Sequence, residues 1–173
     1  MSRSSSLFGL LALAFVATAC MADEEGLEGD YDVTEEDASG DDEFYQAAQD
    51  GKADGELTYL AVARLAKSAG LSCSYERIAI AVAVAKAESG FDPDITNTVG
   101  NAHGIDRGLW QINSYWHPNV TEACAFSPSC NARAMAGISN YGRKWSPWWT
   151  YKNGKHLPYM TKARAAQASV CGQ

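Results

Sequence analysis

The sequence of 173 residues is long enough for one globular domain with attached segments. Its net charge of −7 is unevenly spread, because residues 22–56 contain fifteen Asp/Glu and one Lys, whereas residues 57–173 contain six Asp/Glu and twelve Lys/Arg. The positive second part suits an anionic polymer as a partner, and its lack of a basic stripe argues against a nucleic acid.

Residues 1–19 have the features of a signal peptide. Arg3 supplies a positive charge, residues 7–16 form an apolar run, and the three residues after Val16 are small, as at a cleavage site. The run is too short to span a bilayer, which takes about 20 residues, and no other segment is long and apolar enough. Cys20 follows directly, which favours a lipoprotein anchored through Cys20 at the outer membrane or cell surface. Because Ala17 stands where such signals usually carry leucine, ordinary cleavage that yields a periplasmic or secreted protein remains the alternative.

Residues 20–56 are predicted to form a disordered acidic tether. The segment is acidic, contains several glycines and has almost no aliphatic side chains, so it cannot bury enough apolar surface to fold. Its charges repel one another and favour an extended spacer. The folded domain is predicted to begin at Leu57, with an amphipathic helix that ends at Gly70.

Residues 74–88 are predicted to form a buried central helix. Isoleucine and valine alternate with alanine there, which is a strand pattern, but an uninterrupted length of about 15 residues exceeds a normal strand. Ser74 is a suitable N-terminal cap, Glu76 suits the first turn, and Gly90 provides a stop. A helix that is apolar on every side is a buried one. Glu88 would then lie at its C-terminal end, where it enters a cleft.

The remaining segments predict a mainly α domain of class α+β. Residues 91–118 are rich in Asn and Gly and indicate a small β or loop lobe. Residues 131–141 and 161–170 each predict a helix, and a Trp-rich loop lies between them. The sequence therefore predicts one domain over residues 57–173, with a helical lobe, a small β lobe and a cleft between them.

Four cysteines remain when Cys20 is set aside. Export to an oxidising compartment makes disulfides the default, and four cysteines allow three connectivities. The pattern favours a short Cys124–Cys130 loop, together with a Cys73–Cys171 bond that ties the C-terminus to the start of the central helix. The chain has no pair of cysteines separated by two residues and its three histidines are scattered, which argues against a zinc site.

Glu88 and Asp106 have contrasting surroundings that suit glycosidic bond cleavage. Glu88 follows an apolar helix and precedes Phe91, and apolar surroundings raise a carboxyl pKa so that the group keeps its proton for a leaving group. Asp106 lies in a polar, Gly-flanked segment where it should stay ionised and stabilise positive charge on a sugar ring. Each residue also has a purely structural alternative. Glu88 could cap the helix or form an ion pair near its end, and Asp106 could be a surface turn residue next to Arg107.

Several other side chains are candidates for sugar binding. The amides of Gln111 and Asn113 would reach hydroxyl or N-acetyl groups, unless they are ordinary strand-edge amides. Each of these tryptophans taken alone is better explained as a core residue. Four tryptophans within 34 residues nevertheless favour stacking of at least one of them on a sugar face. These four are Trp116, Trp145, Trp148 and Trp149.

Two motifs in this region resemble the lysozyme-like superfamily. Residues 88–93 read Glu-Ser-Gly-Phe-Asp-Pro, and residues 106–114 read Asp-Arg-Gly-Leu-Trp-Gln-Ile-Asn-Ser. Soluble lytic transglycosylases carry Glu-Ser-x-Phe-x-Pro and then Gly-Leu-x-Gln. Chicken-type lysozymes carry Glu-Ser-x-Phe and then Asp-x-Gly-x-x-Gln-Ile-Asn-Ser. The chain is similar to both groups over roughly residues 72–155.

The resemblance implies a lysozyme-like fold and a peptidoglycan-cleaving enzyme that needs no metal or organic cofactor. It implies Glu88 as general acid and Asp106 as second carboxylate, acting between N-acetylmuramic acid and N-acetylglucosamine. The substrate-binding positions that it implies are Gln111, Asn113, Trp116 and Trp145. Lytic transglycosylases generally lack the second carboxylate, so Asp106 favours hydrolysis, while transglycosylation stays open. The alternative function is a non-catalytic module that binds cell-wall glycan from a lipoprotein stalk.

Overall fold

The computed structural model describes residues 56–98 and 103–172, which contain six α-helices and one small sheet. The predicted signal peptide, the Cys20 lipidation site and the acidic tether up to residue 55 lie outside these residues. In chain order the elements are α1 (Tyr59–Ser68), α2 (Arg77–Ser89), β1 (Thr96–Asn97), β2 (Asp106–Arg107), β3 (Ile112–Asn113), α3 (Glu122–Phe126), α4 (Pro128–Ile138), α5 (Trp149–Lys152), a 3₁₀ turn (Leu157–Tyr159) and α6 (Met160–Cys171). The fold is mainly α with a small β lobe, as predicted. No helix in the described part of the chain has the length and apolarity needed to cross a membrane.

Helix α2 is the buried centre of the fold. Its isoleucine, valine and alanine side chains are almost all inaccessible to solvent, and α1 and α6 pack against it. The helix ends at Gly90, which adopts a left-handed conformation with φ 68° and donates its N–H to Lys86 O. Because the helix ends here, Glu88 in its last turn lies where the helical lobe meets the β lobe.

The start of α2 differs from the sequence prediction. Ser74 was expected to cap the helix, but the helix begins at Arg77 after Glu76 in a left-handed conformation, with no side-chain cap of its own. The Gln167 side chain in α6 instead accepts a 2.9 Å hydrogen bond from the Ala79 N–H. The orphan donor of the first turn is thus satisfied from another helix, and the Ser74 prediction is wrong for that reason.

Helix α4 begins and ends earlier than the predicted range of 131–141. Ser127 is its N-cap and accepts a hydrogen bond from the Cys130 N–H, while Pro128 occupies the first helical position. Asn131 therefore falls inside the helix instead of at its start. Its fully buried amide takes a structural role described below.

Two disulfides close the helical lobe. Cys73 is bonded to Cys171 and Cys124 to Cys130, which is the connectivity that the sequence favours. The first joins the segment before α2 to the end of α6, and Gln167 reinforces it by donating to Cys73 O at 3.2 Å. Disulfides of this kind fit an oxidising extracellular or periplasmic environment.

The β lobe is a three-stranded antiparallel sheet in the order β1-β2-β3. Its register places Asp106 opposite Asn113 and Arg107 opposite Ile112. Gly108 follows β2 with φ 73°, and a Cβ there would lie 2.0 Å from Ala125 O. Only glycine fits this turn, which lies directly against the C-terminal end of α3.

Trp110 joins the turn after β2 to the rest of the domain. Its N–H donates to the Asn131 side chain at 3.0 Å, and its indole N–H donates to Ala81 O in α2 at 2.9 Å. Its carbonyl accepts from the Trp148 indole at 2.8 Å. One buried residue therefore fixes the β lobe, α2 and the Trp-rich loop relative to one another.

Candidate active site

The side chains of Glu88 and Asp106 line a single cavity of about 380 Å³ between the two lobes. Glu88 reaches it from the last turn of α2, and Asp106 from β2. The two residues are eighteen positions apart in the chain, and the turn held by Trp110 brings them to the same groove. Two carboxyl groups that face one groove are the arrangement that most glycoside hydrolases use.

Glu88 is half-buried, and its pKa is raised from the ordinary value. Burial is the main cause, since it disfavours the charged form, and the nearby charge of Asp106 adds to it. Hydrogen bonds from Thr150 and the positive charge of Lys155 act in the opposite direction. The Thr150 hydroxyl donates to Glu88 Oε1 at 2.5 Å. The balance favours a carboxyl group that still holds its proton when an ordinary glutamate has lost it.

Asp106 is oriented by its partner in the sheet. The Asn113 side-chain amide donates to Asp106 Oδ1 at 2.8 Å and also to His103 O. The Asn113 side-chain oxygen accepts from the Tyr115 N–H at 2.9 Å and the Trp116 N–H at 3.3 Å. Asn113 lines the cavity as expected, but its hydrogen bonds are made within the protein, where they fix the carboxylate and the following turn.

Gln111 also lines the cavity, with a backbone φ of 47°. Its side-chain NH₂ donates to Ile95 O and Gly108 O, at 3.1 Å and 2.9 Å. These bonds hold β1 and the turn after β2 together at the floor of the groove. The predicted pair of amides is therefore at the site, in positions that support its shape.

The aromatic walls of the cavity differ from the prediction at one position. Trp116 and Trp149 both line it and are 68% and 56% exposed, so each ring has exposed surface that a ligand can contact. Trp148 forms a buried part of the wall. Trp145 was expected there, but it is only 4% exposed, donates its indole N–H to Gly142 O and packs at 5.1 Å against Trp148. Trp145 supports the wall from behind and does not reach the groove.

Thr150 and Lys155 belong to this site and were not found from the sequence. Thr150 lies 62 positions after Glu88 in the chain, and neither it nor Lys155 belongs to the motifs at residues 88–93 and 106–114. Thr150 is a buried residue of the short helix α5 and Lys155 lies in the turn that follows it, and neither residue type carries a functional signal of its own in the sequence. Within residues 56–98 and 103–172, no group of three or more His, Cys, Asp and Glu side chains is placed to hold a metal ion.

Replacing Thr150 with valine is expected to raise the pKa of Glu88 further. The hydroxyl donates to the carboxylate and favours its charged form, which lowers the pKa. Without the hydroxyl, the rise in pKa caused by burial is opposed less strongly. The check is a ¹³C NMR titration of the Glu88 carboxyl in both proteins. Thr150→Ser keeps the hydroxyl and should titrate close to the wild type. A titration midpoint in Thr150→Val that is equal to or below the wild-type midpoint would show that this hydrogen bond does not act on Glu88.

Comparison with known families places this site within a recognised domain. A family model described as a lysozyme-like domain matches residues 63–150, an interval that contains every residue lining the cavity. No curated protein matches the chain. No solved structure matches it either.

Proposed function

The chain belongs to the lysozyme-like domain family, and on that basis we propose that it is a muramidase that cleaves peptidoglycan. The bond cleaved is the β-1,4 bond between N-acetylmuramic acid and N-acetylglucosamine. The observation that carries the proposal is the shared cavity of Glu88 and Asp106, in which burial raises the pKa of Glu88. A module that only bound glycan would need neither a protonated carboxyl nor a second carboxylate across the groove.

Glu88 acts as the general acid in this proposal. Its carboxyl proton passes to the glycosidic oxygen as the bond from that oxygen to C1 of the muramyl ring breaks. The N-acetylglucosamine side then leaves as an alcohol, and positive charge develops at C1 and the ring oxygen. The Asp106 carboxylate, held by Asn113, stabilises that charge or bonds to C1.

The second half of the reaction has two routes. In hydrolysis, water adds to C1 and Glu88 takes up a proton from it, so the muramyl product ends in a free reducing sugar. In transglycosylation, the 6-hydroxyl oxygen of the same muramyl ring bonds to C1 while Glu88 takes up the hydroxyl proton, and the 1,6-anhydro product is one water lighter than the hydrolysis product. We propose hydrolysis, because a second carboxylate at the groove is what a water-attack mechanism uses.

The groove has features that suit a sugar polymer. The exposed rings of Trp116 and Trp149 offer apolar faces on which pyranose rings stack. The cavity is open at the surface between the lobes, so a long strand can lie across it. Gln111 and Asn113 give the floor a rigid polar lining.

We further propose that the protein is exported and anchored through a lipid on Cys20, with residues 20–56 as spacer. The two disulfides in the domain support the exported location. An extended acidic segment would hold the domain away from the membrane and let it reach the cell wall.

Asp106→Asn is expected to reduce cleavage of peptidoglycan by about a hundredfold, the typical cost of losing one preorganised electrostatic group. Asparagine keeps the size and an oxygen for the Asn113 hydrogen bond but lacks the charge. The measurement is the rate of fragment release, with the fragment masses read by mass spectrometry. Asp94→Asn is the matched control, because Asp94 is exposed and does not line the cavity.

The products decide between the two routes in the same experiment. Hydrolysis predicts fragments with free reducing ends from the wild type. An Asp106→Asn protein that works at the wild-type rate, with 1,6-anhydro ends on its products, would replace hydrolysis with transglycosylation. Binding to sacculi without any fragment release by the wild type would replace the enzyme with a glycan-binding module.

A further inference from the structure

Lys155 lies directly beside the aromatic wall of the groove. Its ammonium group is 4.4 Å from the centroid of the Trp149 ring, which is a cation–π distance, and the Trp149 side chain lines the cavity. Both side chains are exposed. The ammonium group therefore lies over one face of a ring that lines the groove and places a positive charge beside the groove.

The loop that carries Lys155 is fixed to α5. The Lys155 N–H donates to Thr150 O at 2.8 Å, and the Gly154 N–H donates to Tyr151 O at 3.1 Å. The next residue, His156, is 7% exposed and stacks on Tyr151 with ring centroids 4.6 Å apart. Since this loop is anchored at three points, the position of the Lys155 backbone is defined before any ligand binds.

Charge makes this lysine informative about the substrate. Among the described residues that line the cavity, the formally charged ones are Glu88 and Asp106, both acidic. The positive charge of Lys155 acts on Glu88 and opposes the rise of its pKa, so the ammonium group is electrostatically close to the groove. The Asp106 carboxylate disfavours an anionic ligand in the groove unless a cation offsets it, and any ionised fraction of Glu88 adds to that effect.

Chitin and peptidoglycan have the same β-1,4-linked sugar backbone but differ in charge. A chitin strand is uncharged. A peptidoglycan strand carries carboxylates on its muramyl residues, either the lactyl carboxylate of a peptide-free strand or the carboxylates of the stem peptide. A positive side chain beside the groove would attract the charged polymer and not the neutral one.

We infer that Lys155, held over Trp149 at the edge of the groove, is a specificity-determining residue that binds a carboxylate of the muramyl residue or its stem peptide. This inference rests on the proposed function for the identity of the polymer. It concerns the choice of strand and is separate from the effect of the Lys155 charge on the pKa of Glu88.

The test is calorimetric binding to the Glu88→Gln protein, in which the glycan stays intact. Three ligands of equal sugar number are compared: a chito-oligosaccharide, a peptide-free glycan strand and a strand with stem peptides. Lys155→Gln is added to this background, with Lys155→Arg as the charge-conserving variant. Lys152→Gln is the matched control, because Lys152 is an exposed lysine of the same segment, whereas Lys155 is the lysine whose ammonium group lies over the cavity-lining Trp149 ring.

Lys155→Gln is expected to weaken binding of a charged strand, relative to the chito-oligosaccharide, by about two- to fivefold, the range of an exposed ion pair. Lys155→Arg should retain the preference, and high salt should reduce it. A change with the peptide-free strand identifies the lactyl carboxylate, and a change restricted to the peptide-bearing strand identifies the stem peptide. An unchanged ratio in Lys155→Gln, or an equal change in Lys152→Gln, would overturn the inference.

Failure of the inference and failure of the proposed function are separate results. The binding ratios compare Lys155 variants in an otherwise identical protein, and measuring them requires no cleavage of the glycan. Digestion of peptidoglycan by the wild type tests the muramidase activity independently of those ratios.

Discussion

Replacing Glu88 with glutamine is expected to reduce the release of soluble fragments from purified peptidoglycan by a factor of about 10² to 10⁴, the usual contribution of a general acid. Glutamine preserves the shape and an oxygen that accepts the Thr150 hydrogen bond, but it has no proton to transfer. The measurement is the initial rate of fragment release at neutral pH. Glu122→Gln is the matched control, because its side chain is exposed and lies outside the cavity.

The Glu88→Gln protein should also be at least as stable as the wild type above neutral pH. The folded-state pKa of Glu88 lies above its unfolded value, because burial disfavours the charged form. Its contribution to stability is therefore present below the unfolded pKa and is lost as pH rises through the folded pKa. Glutamine stays neutral and avoids that loss. A variant with both normal activity and lower stability at alkaline pH would contradict the role given to Glu88.

Removing the Cys73–Cys171 disulfide with a double serine substitution is expected to lower the free energy of unfolding by about 2–5 kcal/mol. The two cysteines are 98 positions apart, so the bond restricts a large part of the unfolded chain. The Cys124–Cys130 bond spans only 6 positions, and its removal should cost about 2 kcal/mol on the same loop-entropy argument. Urea unfolding of both double variants provides the comparison.

The order of the two losses is the informative result. A larger loss from Cys124–Cys130 would mean that local packing around α3 and α4 outweighs the constraint on the unfolded chain.

The central helix could be predicted because its signals are local. A long apolar run and a glycine stop are contained in consecutive residues, and α2 ends at Gly90 as expected. Its N-terminal cap could not be predicted, because the Ala79 N–H is satisfied by Gln167, 88 positions away. A helix cap can be predicted from the sequence only when the capping residue lies next to the helix in the chain.

The same distinction applies to the candidate site. Glu88 and Asp106 lie in compact motifs, and their contrasting surroundings follow from neighbouring residues. The contact between Thr150 and Glu88 depends on where the Trp-rich loop folds back, which no local pattern encodes. Within that loop the sequence could not tell which indole faces the groove. Packing places Trp145 behind Trp148, and Trp149 is left exposed at the edge.

Mass spectrometry of a peptidoglycan digest tests most directly the proposal that the groove of Glu88 and Asp106 cleaves the muramyl bond by hydrolysis. Purified sacculi are incubated with the wild-type domain at neutral pH, and the released fragments are separated and weighed. Soluble fragments whose cleaved ends are muramyl residues with free reducing groups are the predicted result. No soluble fragments, or fragments cleaved on the other side of the muramyl ring so that they end in N-acetylglucosamine, would contradict it.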